Sequence, residues 1–142
     1  MVKSMSLLGE SNASLDPNWI RGKHGRFHFF YDLDPEEESL EGVSGVFVIW
    51  HGGVRPEWVY IGKSKNLAAT FHKLGENEEI AEYEVNGRLF VSWSLVRPKY
   101  QDGVLRYLNG ILKPAVENPG PPEENVEPIP IYAPGYAAEE TP

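Results

Sequence analysis

Two short β-rich runs, joined by a linker that contains glycine and proline, place the strongest limit on how this chain folds. Residues 45–50 (Gly-Val-Phe-Val-Ile-Trp) and 58–62 (Trp-Val-Tyr-Ile-Gly) are rich in β-branched and aromatic side chains, which favour strands. The linker over residues 51–57 holds two glycines and one proline, residues that are typical of turns. We therefore predict an antiparallel hairpin at the centre of the fold.

A helix is predicted directly after the hairpin, over residues 65–74. Leu67, Phe71 and Leu74 stand at positions i, i+4 and i+7, so they fall on one face of a helix. Gly75 follows the last of them and is a residue that commonly ends helices.

A third strand and a second helix are predicted further along the chain. Residues 89–96 alternate, with serines between apolar side chains, as a half-buried strand does. Helical spacing returns over residues 102–112, and Pro114 is its expected end. The order β-β-α-β-α predicts an α+β fold: a small antiparallel three-stranded sheet flanked by helices. The predicted apolar face of the third strand consists of Leu89, Val91, Trp93 and Leu95.

Charge divides the chain into three parts around this centre. Residues 1–42 hold 4 basic and 8 acidic side chains, residues 43–115 hold 9 and 7, and residues 116–142 hold 0 and 6. We predict an N-terminal extension over residues 1–42, with a possible strand at 26–33, and a folded domain over 43–118. Because only the middle part is basic, the chain as a whole is expected to bind nucleic acid weakly.

The remaining residues, 119–142, form an acidic, proline-rich tail. Eight of the twelve prolines lie from residue 114 onward, and proline disfavours helices and central strands. Residues 129–134 (Ile-Pro-Ile-Tyr-Ala-Pro) carry enough apolar surface to dock on their own domain or in a partner's groove. The alternative is a disordered tail.

Cysteine usage and hydropathy bear on the cellular compartment. The chain has no cysteine, which excludes disulfides, thiolate metal ligands and thiol nucleophiles. No apolar run approaches the length of about 18 residues that a membrane-spanning helix requires, and no secretory signal pattern is visible at the N-terminus. We expect a cytoplasmic protein without a membrane partner.

A family resemblance emerges from the residues themselves. Residues 45–47 read Gly-Val-Phe, residues 59–67 read Val-Tyr-Ile-Gly-Lys-Ser-Lys-Asn-Leu, and residues 112–114 read Leu-Lys-Pro, with Asn118 close behind. Over roughly half of the chain this pattern resembles the GIY-YIG nuclease domain, with the second stretch as its specific part. The resemblance implies a small sheet built from the two motif strands.

The resemblance also implies a chemistry. Family members that cut DNA are Mg²⁺-dependent phosphodiesterases that use a tyrosine, an arginine and a metal-binding glutamate. Tyr60 matches the tyrosine of the second motif, Gly62 its glycine and Lys63 the following lysine. Asn66 matches the start of the helix, and Asn118 falls near the family's C-terminal asparagine.

Three chemical groups of the family pattern are replaced in this chain. Phe47 stands at the first-motif tyrosine, Thr70 at the helix arginine and Leu105 at the metal-binding glutamate. Losing one electrostatic group from such a site typically costs about 10²–10³ in rate, and groups that act as a unit fail together. The sequence therefore favours a GIY-YIG-like domain that has lost catalysis and needs no cofactor.

Three functions remain open from the sequence. The first is a binding or regulatory module, in which Lys63, Lys65, Asn66 and Asn118 contact nucleic acid, or in which the partner is a protein. The second is a divergent Mg²⁺-dependent endonuclease that uses Tyr60 with Lys73 in place of the arginine and Asp102 in place of the metal ligand. The third is a protein-interaction domain that works through its proline-rich tail. The four histidines show no spacing that predicts a metal site.

Overall fold

The computed structural model describes residues 17–120 and 125–135. Its centre is an antiparallel four-stranded sheet with the strand order β1-β4-β2-β3. The strands are β1 His28–Phe29, β2 Gly45–His51, β3 Glu57–Ser64 and β4 Leu89–Ser94. The helices are α1 Leu67–Leu74, α2 Glu78–Ala81 and α3 Pro98–Leu112. Short 3₁₀ turns lie at Lys23–Gly25, Phe30–Asp32 and Glu82–Asn86.

The α+β class is confirmed, but the prediction of three strands is wrong. The fourth strand, β1, comes from the aromatic stretch over residues 26–33 and pairs with β4 at the edge of the sheet. His28 lies opposite Val91, and Phe29 lies opposite Phe90. Aromatic side chains on neighbouring strands stabilise such short pairings, and the Phe29 and Phe90 rings stack with centroids 4.9 Å apart.

The predicted hairpin is present and contains an irregularity. Ile49 pairs with Tyr60, whereas the next residue, Trp50, pairs with Trp58, so Val59 is an extra residue in β3. Such a bulge reverses the alternation of side chains beyond it. Tyr60 consequently points to the opposite side of the sheet from Trp58, although only one residue separates them.

Each face of the sheet carries its own apolar core. On one side, which we call the α1 face, helix α1 covers the odd-numbered apolar residues of β2 and β4. The buried members of this core include Phe47, Ile49, Val91, Trp93, Leu67 and Phe71. On the other side, the α3 face, helix α3 packs on Val46, Val48 and Ile61 through Val104, Leu105 and Leu108.

The ends of the helices follow from local residues. Asn66 accepts a hydrogen bond from the Ala69 N–H at 3.3 Å and caps α1, as asparagine commonly does. Helix α3 begins at Pro98, one turn earlier than predicted, because proline suits the first turn of a helix. It ends at Leu112, and Lys113 adopts a left-handed conformation.

Two extended segments from outside the predicted domain complete the α3 face. Residues 17–20, the N-terminal strap, cover the serines of β4, and residues 129–134, the C-terminal strap, lie beside α3. The Trp19 indole joins the straps by donating to the Tyr132 carbonyl at 2.7 Å. Ile131 is buried in the α3-face core. Docking of the tail fragment on its own domain is therefore confirmed; residues 121–124 and 136–142 of the predicted tail lie outside the described residues.

The serines of β4 show the effect of the N-terminal strap. Ser92 donates to the Ile20 carbonyl at 2.6 Å, and Ser94 donates to the Pro17 carbonyl. Both side chains are buried, so β4 is covered on both faces rather than half-buried as its alternation predicted. Leu95, predicted to belong to the apolar face, follows the end of the strand and is 60% exposed.

Candidate functional site

Tyr60, the motif tyrosine, lies on the α1 face and is 6% exposed. Its ring stacks near that of Phe47, with centroids 6.0 Å apart. Burial raises the pKa of the Tyr60 hydroxyl above its ordinary value of 10.0, because a buried site disfavours the phenolate. A tyrosine in this setting is a poorer base at neutral pH than an exposed one.

Lys63 and Asp102 meet on the opposite side of the sheet. The Lys63 ammonium lies 2.7 Å from the Asp102 carboxylate, which joins the end of β3 to the first turns of α3. Lys63 pairs with Val46 across the hairpin, a residue of the α3-face core. Lys63 was predicted to contact phosphate and Asp102 to bind a metal. In the structure the two side chains pair, so each neutralises the charge of the other.

Thr70 and Phe47, which stand where the resemblance expects an arginine and a tyrosine, contact neighbouring side chains. The Thr70 hydroxyl lies 2.6 Å from the Ser64 hydroxyl, so this pair fastens α1 to the end of β3. The Phe47 ring packs edge-on against Phe71 at 5.2 Å between centroids. Both replacements complete the packing between the sheet and α1.

Leu105, at the position of the family's metal-binding glutamate, is completely buried. It belongs to the α3-face core together with Val46, Val48 and Ile61. A carboxylate there would lose its hydration without gaining a partner, which is strongly unfavourable.

The remaining predicted contact residues divide between structural and exposed positions. Besides capping α1, the Asn66 side chain accepts a hydrogen bond from the Gly42 N–H at 3.0 Å. Asn118 donates to the Ile61 carbonyl at 3.1 Å, and a side chain at the neighbouring Gly62 would collide with Phe47 and press against Asn118. Lys65 and Lys73 are exposed.

The residues proposed for a divergent nuclease therefore do not share one cleft. Tyr60 packs with the α1-face core, and Lys73 lies in the last turn of α1. Asp102 belongs to α3 and pairs with Lys63 on the other side of the sheet. The sheet itself separates the tyrosine from the carboxylate.

These residues also do not suit Mg²⁺. The ion prefers oxygen ligands and is usually held by one or two carboxylates. Leu105 offers no oxygen, and the carboxylate of Asp102 is already paired with an ammonium. Within residues 17–120 and 125–135, no group of three or more His, Asp or Glu side chains is arranged to hold a metal ion.

The two faces of the sheet differ in charge. Residues 97–113, which include α3, hold 4 basic side chains and 1 acidic one. Residues 66–86, which cover the α1 face, hold 1 basic and 5 acidic side chains. Because exposed charges of one sign set the local potential, the α3 face is the side that suits an anionic partner. The exposed basic residues of this stretch are Arg97, Lys99, Arg106 and Lys113.

An open groove of about 760 Å³ lies beside the N-terminal end of α3. Its walls are the two straps, and its rim is the segment between β4 and α3. Ligand sites in proteins commonly have this size and a mostly apolar lining. The sequence did not predict this groove, because residues more than 70 positions apart line it. The residues that line it include Leu95, Arg97, Tyr100, Val104, Ile129 and Ile131.

Comparisons of the chain with protein-family models, curated proteins and solved structures found no significant match. The resemblance to the GIY-YIG domain rests on the motif residues alone. No helix in the described part of the chain is long and apolar enough to cross a membrane.

The basic character of α3 is visible in the sequence. The excess of basic residues over positions 97–113 can be counted directly, although the helical pattern of that stretch predicts only which of its residues are buried. The Lys63–Asp102 pair carried no comparable signal, because the two residues are distant in the chain and meet only once α3 packs on β3.

Proposed function

We propose that this chain is a GIY-YIG-like module without nuclease activity, which binds a partner through its α3 face. The observation that carries the proposal is Leu105: the position that the resemblance assigns to the metal ligand is an apolar residue sealed in the α3-face core. The separation of Tyr60 from Asp102 by the sheet supports the same conclusion.

The partner class that the charges support best is nucleic acid. The exposed basic residues of 97–113 form a positively charged side, whereas the opposite face is acidic. Lysine and arginine side chains that neutralise phosphates supply most of the affinity in such complexes. The net charge of −8 opposes this attraction, so binding is expected to be weak and strongly dependent on salt.

A cleavage assay tests the loss of catalysis. Supercoiled plasmid and branched DNA are incubated with the purified chain in Mg²⁺ or Mn²⁺, beside the Tyr60→Phe variant. We expect no cleavage by either protein. Cleavage by the wild type that Tyr60→Phe abolishes would overturn the proposal and make Lys73 and Asp102 the next residues to change.

A binding assay tests the surface and distinguishes it from the motif lysines. Affinity for a short duplex is measured by fluorescence anisotropy across a salt series for Lys99→Gln, Lys113→Gln, Lys65→Gln and Lys73→Gln. Each lost phosphate contact lowers the slope of log affinity against log salt by about 0.9. We expect this decrease for Lys99→Gln and Lys113→Gln only. A decrease confined to Lys65→Gln and Lys73→Gln would move the contact to the start and end of α1.

Protein binding is a second candidate, supported by the open groove. The proposal that the tail itself captures a partner is tested by a short truncation, because deleting all of residues 119–142 would also remove Ile131 from the core. Deleting residues 136–142 leaves the C-terminal strap intact. Unchanged binding of a partner by that truncated chain would exclude those residues as the contact.

A further inference from the structure

The groove beside α3 continues a surface that already holds an extended segment. The C-terminal strap lies against α3 with Ile131 buried, and the Ile129 N–H donates to the Gly103 carbonyl at 2.9 Å. Gly103 makes this approach possible, since a side chain at that position would come within 2.6 Å of Ile129. Backbone hydrogen bonds combined with aliphatic side chains in pockets are a general means of recognising extended peptides.

The rim of the groove is apolar and exposed. Leu95 is 60% exposed and Tyr100 is 46% exposed, although both lie next to buried residues of the same groove. Large apolar side chains that cluster in the open commonly mark interaction sites. The floor, which includes Val104 and Ile131, is buried.

The charged residues at the groove indicate which chemical group a ligand should carry. Arg97 is the only charged residue among those that line the groove in the described chain. Lys99, two residues further along the chain, has its ammonium 5.1 Å from the centre of the Tyr100 ring. A guanidinium beside an apolar groove suits a carboxylate, which it can hold with two parallel hydrogen bonds.

From these observations we infer that the groove binds an extended peptide of a partner protein, with two or more aliphatic side chains and one carboxylate that meets Arg97. The aliphatic side chains occupy the floor between the straps, and the peptide continues the surface that the C-terminal strap covers. This inference rests on the protein-binding candidate of the proposed function, for which it names the ligand class, and it does not depend on contact with nucleic acid.

A peptide selection on the full chain tests the inference. A random twelve-residue phage library is selected against the wild type, and the enriched peptides are synthesised and measured by fluorescence anisotropy. We expect enriched peptides to share aliphatic residues and an acidic residue at a fixed spacing. Selection that enriches no peptide, or only peptides without an acidic residue, would overturn the inference.

Matched variants locate the binding. Arg97→Glu removes and reverses the rim charge, and Arg55→Glu makes the same change on an exposed residue of the hairpin loop. We expect Arg97→Glu to weaken binding of the selected peptide by about tenfold or more, since hydrogen bonds to charged groups are worth this much. Arg55→Glu is expected to leave binding unchanged. Equal effects of the two variants would contradict a contact at Arg97.

A second matched pair of variants tests the apolar part of the site. Leu95→Ser removes the exposed leucine of the rim, whereas Val54→Ser removes a fully exposed valine of the hairpin loop. We expect weaker peptide binding for Leu95→Ser by about tenfold, with both variants folded as judged by circular dichroism.

Two other occupants give different outcomes. A concentration-dependent dimer that Leu95→Ser dissolves would assign the groove to a second copy of the chain. Peptide binding that appears only after deletion of residues 1–16 would assign it to the chain's own N-terminal residues. Either result would overturn the inference of a partner peptide.

Discussion

The two faces of the sheet are assembled in different ways. The core of the α1 face takes most of its buried residues from the hairpin, α1 and β4, together with Phe30, Leu40, Ile80 and Val116. The α3 face requires residues 17–20 and 129–134, which lie at opposite ends of the described chain, and it keeps an open groove between them. The contrast shows that Tyr60 lies on the face built mainly from the central part of the chain, whereas the larger groove lies on the other face.

Charge sharpens this contrast. The elements over the α1 face are acidic and those over the α3 face are basic. A partner that carries negative charge is therefore repelled from the side with Tyr60 and attracted to the side with α3. Substitutions and pH changes that affect only one face test whether the two sides differ in this way.

The largest effect is expected for Leu105→Glu, which restores the carboxylate of the family pattern. Leu105 is completely buried, so an ionised side chain there is expected to cost about 4 kcal/mol or more of unfolding free energy. Ile111→Glu, on the exposed side of the same helix, is the control and should change stability by less than about 1 kcal/mol. Urea denaturation followed by tryptophan fluorescence measures both. A stable Leu105→Glu protein that Mg²⁺ stabilises further would show that this position is accessible to solvent and to the ion. That result would contradict the burial of Leu105 in the α3-face core.

A smaller loss is expected when the C-terminal strap loses its anchor. Ile131→Ala should cost about 2–5 kcal/mol, the usual range for truncating a buried aliphatic residue. Hydrogen exchange of the Ile129 amide, which bonds to Gly103, should become faster, while amides of β2 and β3 stay protected. The exposed residue Ile111 gives the control Ile111→Ala. Unchanged stability and unchanged exchange would mean that the strap does not hold the α3 face together.

The difference between the faces also explains what the sequence could predict. The hairpin, α1 and β4 follow from short-range patterns, and the structure has them within a few residues of the predicted bounds. The fourth strand was only a possible strand in the sequence, because a pairing of two residues leaves little periodicity to detect. The burial of Ser92 and Ser94 could not be predicted, since it depends on a strap more than 70 residues away.

The candidate site was harder to predict for a related reason. The two strands that carry the motif residues pair as predicted, but the bulge at Val59 decides which side of the sheet Tyr60 faces. A bulge changes the register without a clear signal in an apolar run. The groove depends on the docking of both straps, and the sequence offered that docking for the C-terminal strap only as one of several alternatives.

The side chain of Asn66 is expected to stabilise the start of α1. The Asn66 side chain accepts hydrogen bonds from the backbone of Ala69 and of Gly42. Asn66→Ala should lower the unfolding free energy by about 1–2 kcal/mol, the usual cost of losing such a cap. Asn66→Asp keeps an acceptor oxygen and should recover most of that loss in the same denaturation experiment. Equal losses for the two variants would show that the cap does not stabilise the helix.

The ion pair on the α3 face is expected to contribute less. Lys63 and Asp102 are both partly exposed, and exposed pairs typically contribute about 0.2–1 kcal/mol. A double-mutant cycle with Lys63→Met and Asp102→Asn measures the coupling between them. The coupling should decrease as salt is added, because ions screen partly exposed charges. A coupling near zero at low salt would mean that the pair does not fasten α3 to β3.

The smallest effect at neutral pH concerns the α1 face and becomes visible only in alkaline solution. Burial raises the pKa of Tyr60 above 10.0, and burial together with Glu84 raises that of Tyr31. A group whose pKa is higher in the folded state than in the unfolded state stabilises the fold below the unfolded pKa. That stabilisation is lost as pH rises through the folded value.

Tyr60→Phe removes one of these groups, so its unfolding free energy should fall less steeply than that of the wild type as pH rises from about 9 to above 10. Stability measured at several pH values for both proteins gives the comparison. Asn118→Ser, a change near the same strand without an ionisable group, should follow the slope of the wild type. If Tyr60→Phe follows that slope as well, the tyrosine is equally solvated in the folded and unfolded states. The α1 face would then be open at Tyr60, and the difference between the two faces would lie in their charge alone.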